Sequence, residues 1–499
     1  MSATAEATSV TTPGGADETM DAATSARNRL VIGILMVSTF VVILNETIIG
    51  IALPDFMKSL KISASAGQWL SAAFMLTMAV VIPITGFLLQ RFNTRPVFIT
   101  AMALFSAGTT IAILAGFADS FPLLLAARVV QASGTAIMFP LLITTVMNLV
   151  PPATRGRTMG NISIVISVAP AIGPSISGLI LNAFHDWRFL FILVLPISLA
   201  ALVVGGILVK NVTTPEHKKI DVGSIFISAI GFGGLVYGIS NIGTATGAAI
   251  VYEGWAPLAI GAIALVFFVW RQLVLQRIDD ALLDLRTFKS RTFTLSIVMM
   301  VISMMAFFGT IVVLPLYLES VLGLKAINAG LLLLPGGLLM GFLAPFVGRY
   351  YDKHGPTRLL GTGAIITAVT FWAMTFADQH TSVWWIFVAY LALSVGLALL
   401  FTPLFTASLG SLPESLYSHG SAIVGTVQQV AGAAGTALLV TILSAHELFD
   451  AKGVATVSST ATGIHYAFLT AAIISVLAIP AAFLIRAPVG GGEPGAHGH

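Results

Sequence analysis

The chain has 499 residues, of which 57% are hydrophobic and 9% charged, whereas soluble domains carry roughly 25% charged residues. This composition excludes a water-soluble globular protein. The net charge of +3 comes from dispersed basic residues, so we expect no nucleic-acid partner. Because Cys is absent, disulfides, zinc–thiolate sites and thiol nucleophiles are excluded as well.

The N-terminal segment, residues 1–29, is rich in Ser, Thr, Ala and Gly and lacks the basic start of a signal peptide. We predict that it is a disordered cytoplasmic tail. The first apolar run, Leu30 to Pro54, is 25 residues long, which exceeds a cleavable apolar region and is enough to cross a bilayer. It is therefore expected to remain in the mature protein.

Fourteen apolar stretches follow one another, and each is long enough to cross a membrane as a helix. With the N-terminus inside, 18 Lys and Arg residues fall on the inner side, five fall outside, and Arg128 lies within a span. Basic residues stay on the cytoplasmic side, so both termini are expected there, in an inner or plasma membrane. The predicted spans are 30–54, 67–90, 97–117, 123–149, 158–182, 189–209, 222–241, 256–275, 292–315, 328–348, 358–377, 384–409, 420–444 and 463–486.

The chain also repeats itself. The loop from Gly86 to Arg95 recurs from Gly348 to Arg358 at an offset of 262 residues, and Gly67 matches Gly330 at 263. Each copy accounts for six spans, so the other two are an insertion, which is joined to the copies by predicted polar linkers near 210–221 and 276–291. We predict an all-α polytopic membrane protein with fourteen helices arranged as six, two and six, in which two parallel six-helix bundles surround a central cavity. The predicted units are a tail over 1–29, a first bundle over 30–209, two inserted helices with cytoplasmic linkers over 210–291, a second bundle over 292–486 and a cytoplasmic tail over 487–499.

Two motifs place charged residues inside predicted spans. The first span ends in Leu-Asn-Glu-Thr-Ile-Ile-Gly-Ile-Ala-Leu-Pro, with Glu46 as its acid, and the fourth contains Arg-Val-Val-Gln-Ala-Ser-Gly from Arg128 to Gly134. These motifs resemble the fourteen-span drug:proton antiporter family of the major facilitator superfamily, which includes multidrug and lincomycin exporters. That family carries its first-span acid at the position of Asn45, so the acid has moved by one place. The resemblance links the fourth-span motif to proton transfer.

Further motifs extend the resemblance to nearly the whole chain. The loop starting at Gly86 is similar to Gly-x-Leu-x-Asp-Arg-x-Gly-Arg-Arg, but Gln90 replaces the Asp that helps to clamp the two halves in the family, while the second copy keeps Asp352. Ala-Pro-Ala-Ile-Gly-Pro-Ser-Ile-Ser-Gly in the fifth span is similar to the antiporter motif associated with exporters. The resemblance implies conformational roles for Gly86, Gln90, Arg91, Arg95, Gly134, Gly173, Pro174, Gly178, Gly348, Asp352 and Arg358.

Glu46 is the only acid deep inside a predicted span, eight residues before Pro54 and thus roughly 12 Å from the outer end of its helix. An isolated carboxylate at this depth favours its neutral form, so its protonation can be coupled to conformation. Arg128 lies at a comparable depth, roughly 9 Å. Our hypothesis is that Glu46 and Arg128 approach one another and that Gln131 bridges them as part of proton coupling. A fixed structural ion pair is the alternative.

The repeat offset maps Glu46 to Phe307, so the second half has no symmetric charge and proton coupling is expected in the first half. Phe and Met residues give the ninth span an adaptable face suited to bulky apolar molecules. For each of these residues, simple packing or lipid contact is the alternative. The candidate residues of a substrate cavity are Asn45, Phe307, Phe308, Gln428 and Gln429.

No Gly-Lys dipeptide occurs, which excludes a Walker A loop, and no His-Glu-x-x-His pattern points to a zinc site. We expect no metal, no cofactor and no enzymatic activity. The prediction is a proton-driven antiporter, monomeric in the lipid bilayer, that exports small amphipathic or cationic compounds by alternating access. Alternatives are export of an endogenous metabolite or lipid such as a polyamine, import, or a nontransporting membrane sensor or scaffold.

Overall fold

The computed structural model describes residues 14–62, 64–211, 221–242, 249–278, 280–446 and 457–485. Within these ranges the chain is helical, without β-strands, and fourteen segments are long and apolar enough to cross a membrane. The predicted number of spans is confirmed. The first six-helix bundle comprises α1 (Gly14–Leu60), α2 (Ala64–Arg91), α3 (Thr94–Phe117), α4 (Phe121–Leu149), α5 (Arg155–Phe184) and α6 (Arg188–Leu208).

The remaining helices form the insertion and the second bundle. The last membrane span is interrupted at Leu477, so two helices share it. The insertion comprises α7 (Val222–Ile242) and α8 (Ala256–Leu275), and the second bundle comprises α9 (Arg291–Leu316), α10 (Ala326–His354), α11 (Thr357–Met374), α12 (Val383–Gly410), α13 (Tyr417–Ala445), α14 (Val457–Val476) and α15 (Ala478–Leu484).

The ends of α4 show how the sequence sets a helix boundary. The Ser120 hydroxyl accepts the backbone N–H of Leu123 at 3.4 Å, which satisfies one of the free donors of the first turn. Pro122 lies in that turn, where its missing N–H costs nothing. The helix ends at Leu149, just before Pro151, because the residue preceding a proline is driven out of the helical conformation.

The N-terminal prediction needs a correction. Helix α1 begins at Gly14, so residues 14–29 are helical rather than disordered, while residues 1–13 lie outside the described ranges. The reason is local. The sequence from Met20 to Ala26 contains Met and three Ala residues, which have high helix propensity, and no Gly or Pro.

The linker between α8 and α9 is packed rather than a polar spacer. Leu282 and Leu283 are buried, and the side-chain oxygen of Gln272 on α8 accepts the N–H of Leu283 at 3.1 Å. Asp284 is also buried and accepts hydrogen bonds from Arg286. The other predicted linker, near 210–221, lies mostly outside the described residues.

Two long helix pairs join the bundles. Helix α5 packs along α10, and α2 packs along α13; we call these contacts the α5/α10 seam and the α2/α13 seam. Helix α7 packs on both α2 and α13. Its Tyr237 ring lies 5.6 Å from the ring of Trp69 on α2, measured between centroids. Among the described residues, the insertion therefore covers the α2/α13 seam and does not pack along the α5/α10 seam.

Candidate functional site

Arg128 on α4 is the largest of the fully buried side chains, with 2% of its surface exposed. Its Nη1 donates to Oδ1 of Asn45 at 3.3 Å and to Oε1 of Gln131 at 2.5 Å. Its Nε donates to the carbonyl of Leu70 at 3.5 Å, and the guanidinium lies 4.1 Å from the centre of the Phe74 ring. Neutral groups from α1, α2 and α4 therefore hold this cation.

Glu46 lies beside this cluster. It is half-buried and close enough to interact electrostatically with Arg128, but no ion pair joins the two in the part of the chain that the structure describes. Gln131 does not bridge them, since its Nε2 donates to Oγ1 of Thr109 on α3 at 2.9 Å. The bridging part of the sequence hypothesis is wrong in this conformation.

Asn45 has a different place from the one expected. It was a candidate cavity residue, but its side chain is 1% exposed and its carbonyl oxygen contacts Arg128. Its amide nitrogen is buried and has no hydrogen-bond partner among the described residues. Asn45 therefore stands where a carboxylate would pair with Arg128, and it leaves Glu46 as the nearby group that can change its charge.

The other candidate cavity residues lie in the second bundle. The Phe307 ring is 5.4 Å from that of Phe308 and 5.7 Å from that of Phe401 on α12. Gln429 reaches across the α2/α13 seam, where its amide lies 3.8 Å from the sulfur of Met78, and Gln428 is half-buried beside it. These residues thus contribute aromatic and amide groups to α9 and α13.

The two copies of the loop motif lie at one end of the molecule, which we call the motif end. The Asp352 carboxylate accepts the backbone N–H groups of Gly156 at 2.7 Å and Arg157 at 2.8 Å, at the start of α5. In the other copy, Nε2 of Gln90 donates to the carbonyl of Ser415, just before α13, at 3.1 Å. Each copy therefore contacts the opposite bundle, but Gln90 donates its hydrogen bond whereas Asp352 accepts two.

The remaining motif residues have local contacts. Arg95 donates from Nε to the carbonyl of Gly206 on α6 at 2.8 Å. A side chain on Gly134 would collide with the carbonyl of Ala101, so this glycine permits close packing of α3 and α4. Arg91 is half-buried and Arg358 exposed.

Small and hydroxylated residues close the motif end. A Cβ atom on Gly348 would collide with the carbonyl of Gly156, so no side chain fits between the two backbones. The same holds one turn further along the α5/α10 seam, where a Cβ atom on Gly160 would meet the carbonyl of Ala344. The hydroxyl pairs that also join the bundles are Thr144 with Ser421, at 2.6 Å, and Thr402 with Ser163, at 2.8 Å.

The opposite end of the α5/α10 seam is less tightly packed at its described glycines. Among these glycines, the outermost close approach across the seam is between Gly337 and Ala171. Beyond it, Gly173 packs directly against Thr47 of α1, and the Ser177 hydroxyl donates to the carbonyl of Ile48 at 2.9 Å. At Gly173 and Ser177, helix α5 therefore contacts α1. The side chain of Pro174 lies outside the description.

Several members of the Arg128 cluster escaped the sequence analysis. Phe74 and Thr109 lie in long apolar runs on α2 and α3, and nothing in their spacing distinguishes them from packing residues. The replacement of the expected acid by Asn45 was the available signal. It could have suggested that an amide takes the place of the carboxylate beside Arg128.

Known proteins resemble this chain in sequence over most of its length. The sequence profile of the Major Facilitator Superfamily matches residues 35–436. The chain is 39% identical to the lincomycin resistance protein LmrB of Listeria monocytogenes, over 91% of this chain and 96% of that protein. It is 30% identical to the multidrug export protein EmrB of Escherichia coli, over 83% of this chain and 80% of that protein.

A solved structure has a similar fold. The crystal structure of the human organic anion transporter MFSD10 superposes with a TM-score of 0.65, over 91% of this chain and 99% of that chain. The sequence identity is 12%, so this likeness concerns the fold alone.

Proposed function

Because the chain belongs to the Major Facilitator Superfamily and has the fourteen-span form of its fold, we propose that it exports small amphipathic or cationic compounds in exchange for protons. Two relatives support the direction and the class of compound, since one is named for lincomycin resistance and the other for multidrug export. The chain is a multi-pass membrane protein and a transporter rather than an enzyme.

The Arg128 cluster is the observation that carries this proposal. A guanidinium buried at membrane depth is held by neutral amides and an aromatic ring, and Glu46 is the acid within electrostatic reach. In a medium of low polarity, adding or removing a proton at Glu46 changes the energy of the Arg128 charge strongly. Proton binding can therefore favour one arrangement of α1 and α4 over another.

The proposed orientation places the motif end in the cytoplasm. The bias of Lys and Arg towards the loops on that side supports this assignment, with both termini inside the cell and the protein in the inner or plasma membrane. The conformation described above is then closed to the cytoplasm and open outwards. Alternating access would separate Asp352 from α5 and Gln90 from α13, and would close the opposite end.

Proton release from energised inverted vesicles tests the proposal. We expect tetraphenylphosphonium, lincomycin or spermidine to trigger proton efflux through the wild-type protein, and Glu46→Gln to abolish it because the variant cannot carry the proton. Glu319→Gln, which changes an exposed acid three residues after the end of α9, is the matched control and should retain efflux.

The outcomes separate the alternatives. Proton efflux that is triggered by spermidine, but not by tetraphenylphosphonium or lincomycin, would favour an endogenous polyamine as substrate. Active export by Glu46→Gln would exclude Glu46 as the obligatory proton carrier. Folded wild-type protein that moves no protons with any compound would favour the sensor or scaffold. Substrate-driven proton flow in the opposite direction would indicate an importer.

A further inference from the structure

The two seams between the bundles differ at their outer ends. On the α5/α10 seam, Gly178 lies seven residues beyond Ala171, and Gly330 lies seven residues before Gly337. Seven residues are about two helical turns, so both glycines continue the facing stripes of their helices at the same level. A Cβ atom on either would meet no atom of the described side chains or backbone within 4 Å. Among the described residues, the two helices therefore leave a gap there.

The edges of this gap are apolar. Leu179 beside Gly178 is 69% exposed, and Leu331 beside Gly330 is 55% exposed. Neither the outer part of α5, residues 172–184, nor that of α10, residues 326–338, contains a charged residue. Lipid or an apolar portion of a small molecule can occupy such an opening without desolvating charge.

At the same level, the α2/α13 seam is covered by helix α7, which we call the wall of this seam. Helix α7 packs on both of its helices, Tyr237 packs against Trp69 near the outer end of α2, and a Cβ atom on Gly233 would lie 3.7 Å from Val80. The internal repeat makes the contrast direct. Gly67 on α2 is buried, whereas its repeat mate Gly330 on α10 is partly exposed.

We propose that amphipathic substrates leave the transport pathway sideways, into the outer leaflet of the bilayer, through the gap between α5 and α10, and that the insertion prevents the same exchange at the α2/α13 seam. This inference rests on the proposed export function. It gives the two inserted helices a role, since they make two symmetry-related openings inequivalent. It also explains why compounds with an apolar portion suit this route, which has no charged edge.

The absence of Cys allows the gap to be probed with single nitroxide labels in lipid nanodiscs. Gly178→Cys and Gly330→Cys report on the gap. Val440→Cys, at the repeat position of Gly178, and Ser71→Cys, one turn beyond Gly67, report on the walled seam. We expect collisions with membrane-dissolved oxygen to be several-fold more frequent at the first two labels. Equal oxygen accessibility at both seams would overturn the proposal.

A second variant tests the wall itself. Trp69→Ala combined with Tyr237→Ala removes the aromatic contact between α2 and α7. Oxygen accessibility should then rise at positions 71 and 440 and stay unchanged at positions 178 and 330. An unchanged value at positions 71 and 440, with α7 shown to be displaced, would contradict the role given to the insertion.

Export of tetraphenylphosphonium by the same variants tests the route. Labels at positions 178 and 330 should slow export several-fold relative to the unlabelled variants, while labels at 71 and 440 should not. Both outer ends must close during the transport cycle. If a label slowed export only by hindering this closure, labels at positions 71 and 440 would slow export as much as labels at 178 and 330. That result would overturn the proposed route. If unlabelled protein exports nothing, the proposed function fails, while the oxygen pattern still decides the gap.

Discussion

Arg128 shows how a membrane protein keeps a charge without a salt bridge. Its partners in the described chain are two amides, a backbone carbonyl and the face of Phe74. Such groups stabilise a cation through dipoles and the ring quadrupole, but they cannot neutralise it. The positive charge therefore remains available to attract a carboxylate, and Glu46 lies close enough to respond.

The shifted acid leads to a rescue prediction. Asn45→Asp, placed in the Glu46→Gln background, should restore part of the substrate-triggered proton release that Glu46→Gln abolishes. The new carboxylate would occupy the position from which Asn45 already contacts Arg128, and it would remove a buried amide N–H that has no partner in the described chain.

The same vesicle assay measures this rescue, with Gln131→Glu in the Glu46→Gln background as a control for a carboxylate elsewhere beside Arg128. Equal activity of the two double variants would mean that any nearby acid suffices. Inactivity of the first, in folded protein, would show that the coupling acid must lie at position 46.

For single residues, the sequence predicted that Glu46 and Arg128 lie at a similar level of the membrane, but it did not predict the hydrogen-bond partner of Gln131. Counting residues from the helix ends placed Glu46 and Arg128 at similar levels, because the rise per residue is fixed. The partner of Gln131 could not be predicted in this way. Which face of α4 meets Thr109 on α3 depends on how two apolar helices rotate against each other, and their apolar sequences do not specify that rotation.

Among the helices, α5 and α10 combine a tight seam with an open end. Near the motif end only hydrogen atoms fit between Gly348 and Gly156, whereas a Cβ atom on Gly330 would meet no described atom within 4 Å. Glycine thus permits close approach of two backbones at position 348, whereas no described neighbour requires it at position 330. Substituting each glycine of α10 in turn can distinguish these two situations.

We expect Gly348→Val to lower stability by roughly 1–3 kcal/mol and to weaken closure of the motif end, because the new methyl groups must displace the backbone of α5. Gly330→Val on the same helix should be tolerated. Thermal unfolding of the purified variants measures the first effect. Cysteine labelling at Ser163→Cys, a buried seam position where Cys adds no atom, measures access to the motif end in each background, and equal access in both would contradict the prediction.

The α8–α9 linker shows where composition misleads. The charged residues predicted a polar linker, but Asp284 is buried and its carboxylate forms an ion pair with Arg286 at 2.6 Å. The consecutive residues Leu282 and Leu283 are buried as well, and the N–H of Leu283 donates to Gln272 of α8. Composition reports which residues are polar, but not whether a neighbouring residue of the same short segment neutralises them.

This ion pair predicts a pH dependence. Burial disfavours the charged form of Asp284, but the hydrogen bonds from Arg286 together with electrostatic attraction to His419 and Arg286 outweigh burial and hold the pKa of Asp284 below its usual value of 3.8. A lowered pKa contributes stability above the unfolded value, and that contribution is lost as pH falls through the folded value. Asp284→Asn should therefore cost about 1 kcal/mol at neutral pH, and the difference from wild type should shrink below about pH 4.

Thermal unfolding in detergent across this pH range checks the prediction. Asp280→Asn, in the same linker, is the control and should change stability little. A loss for Asp284→Asn that is the same at neutral and acidic pH would show that shape, not charge, makes Asp284 important.

For the whole molecule, the sequence predicted the six, two and six arrangement well. Duplicated loop motifs fixed the boundaries of the copies, and the fourteen helices and the family match confirm the fold class. It could not predict where the insertion packs. The apolar surfaces of α7 and α8 suit any lipid-facing side of the bundles, and only the observed contacts with α2 and α13 select one seam.

The closed motif end is joined by neutral hydroxyl pairs, by small residues in backbone contact and by a carboxylate that meets backbone amides instead of a basic side chain. Dissolved ions screen pairs of exposed charges within about 10 Å at 0.1 M ionic strength, but they act little on contacts of this kind. Raising potassium chloride from low to molar concentration should therefore leave labelling of Ser163→Cys nearly unchanged. The transporter would then keep the same balance between its two states in dilute and in saline surroundings.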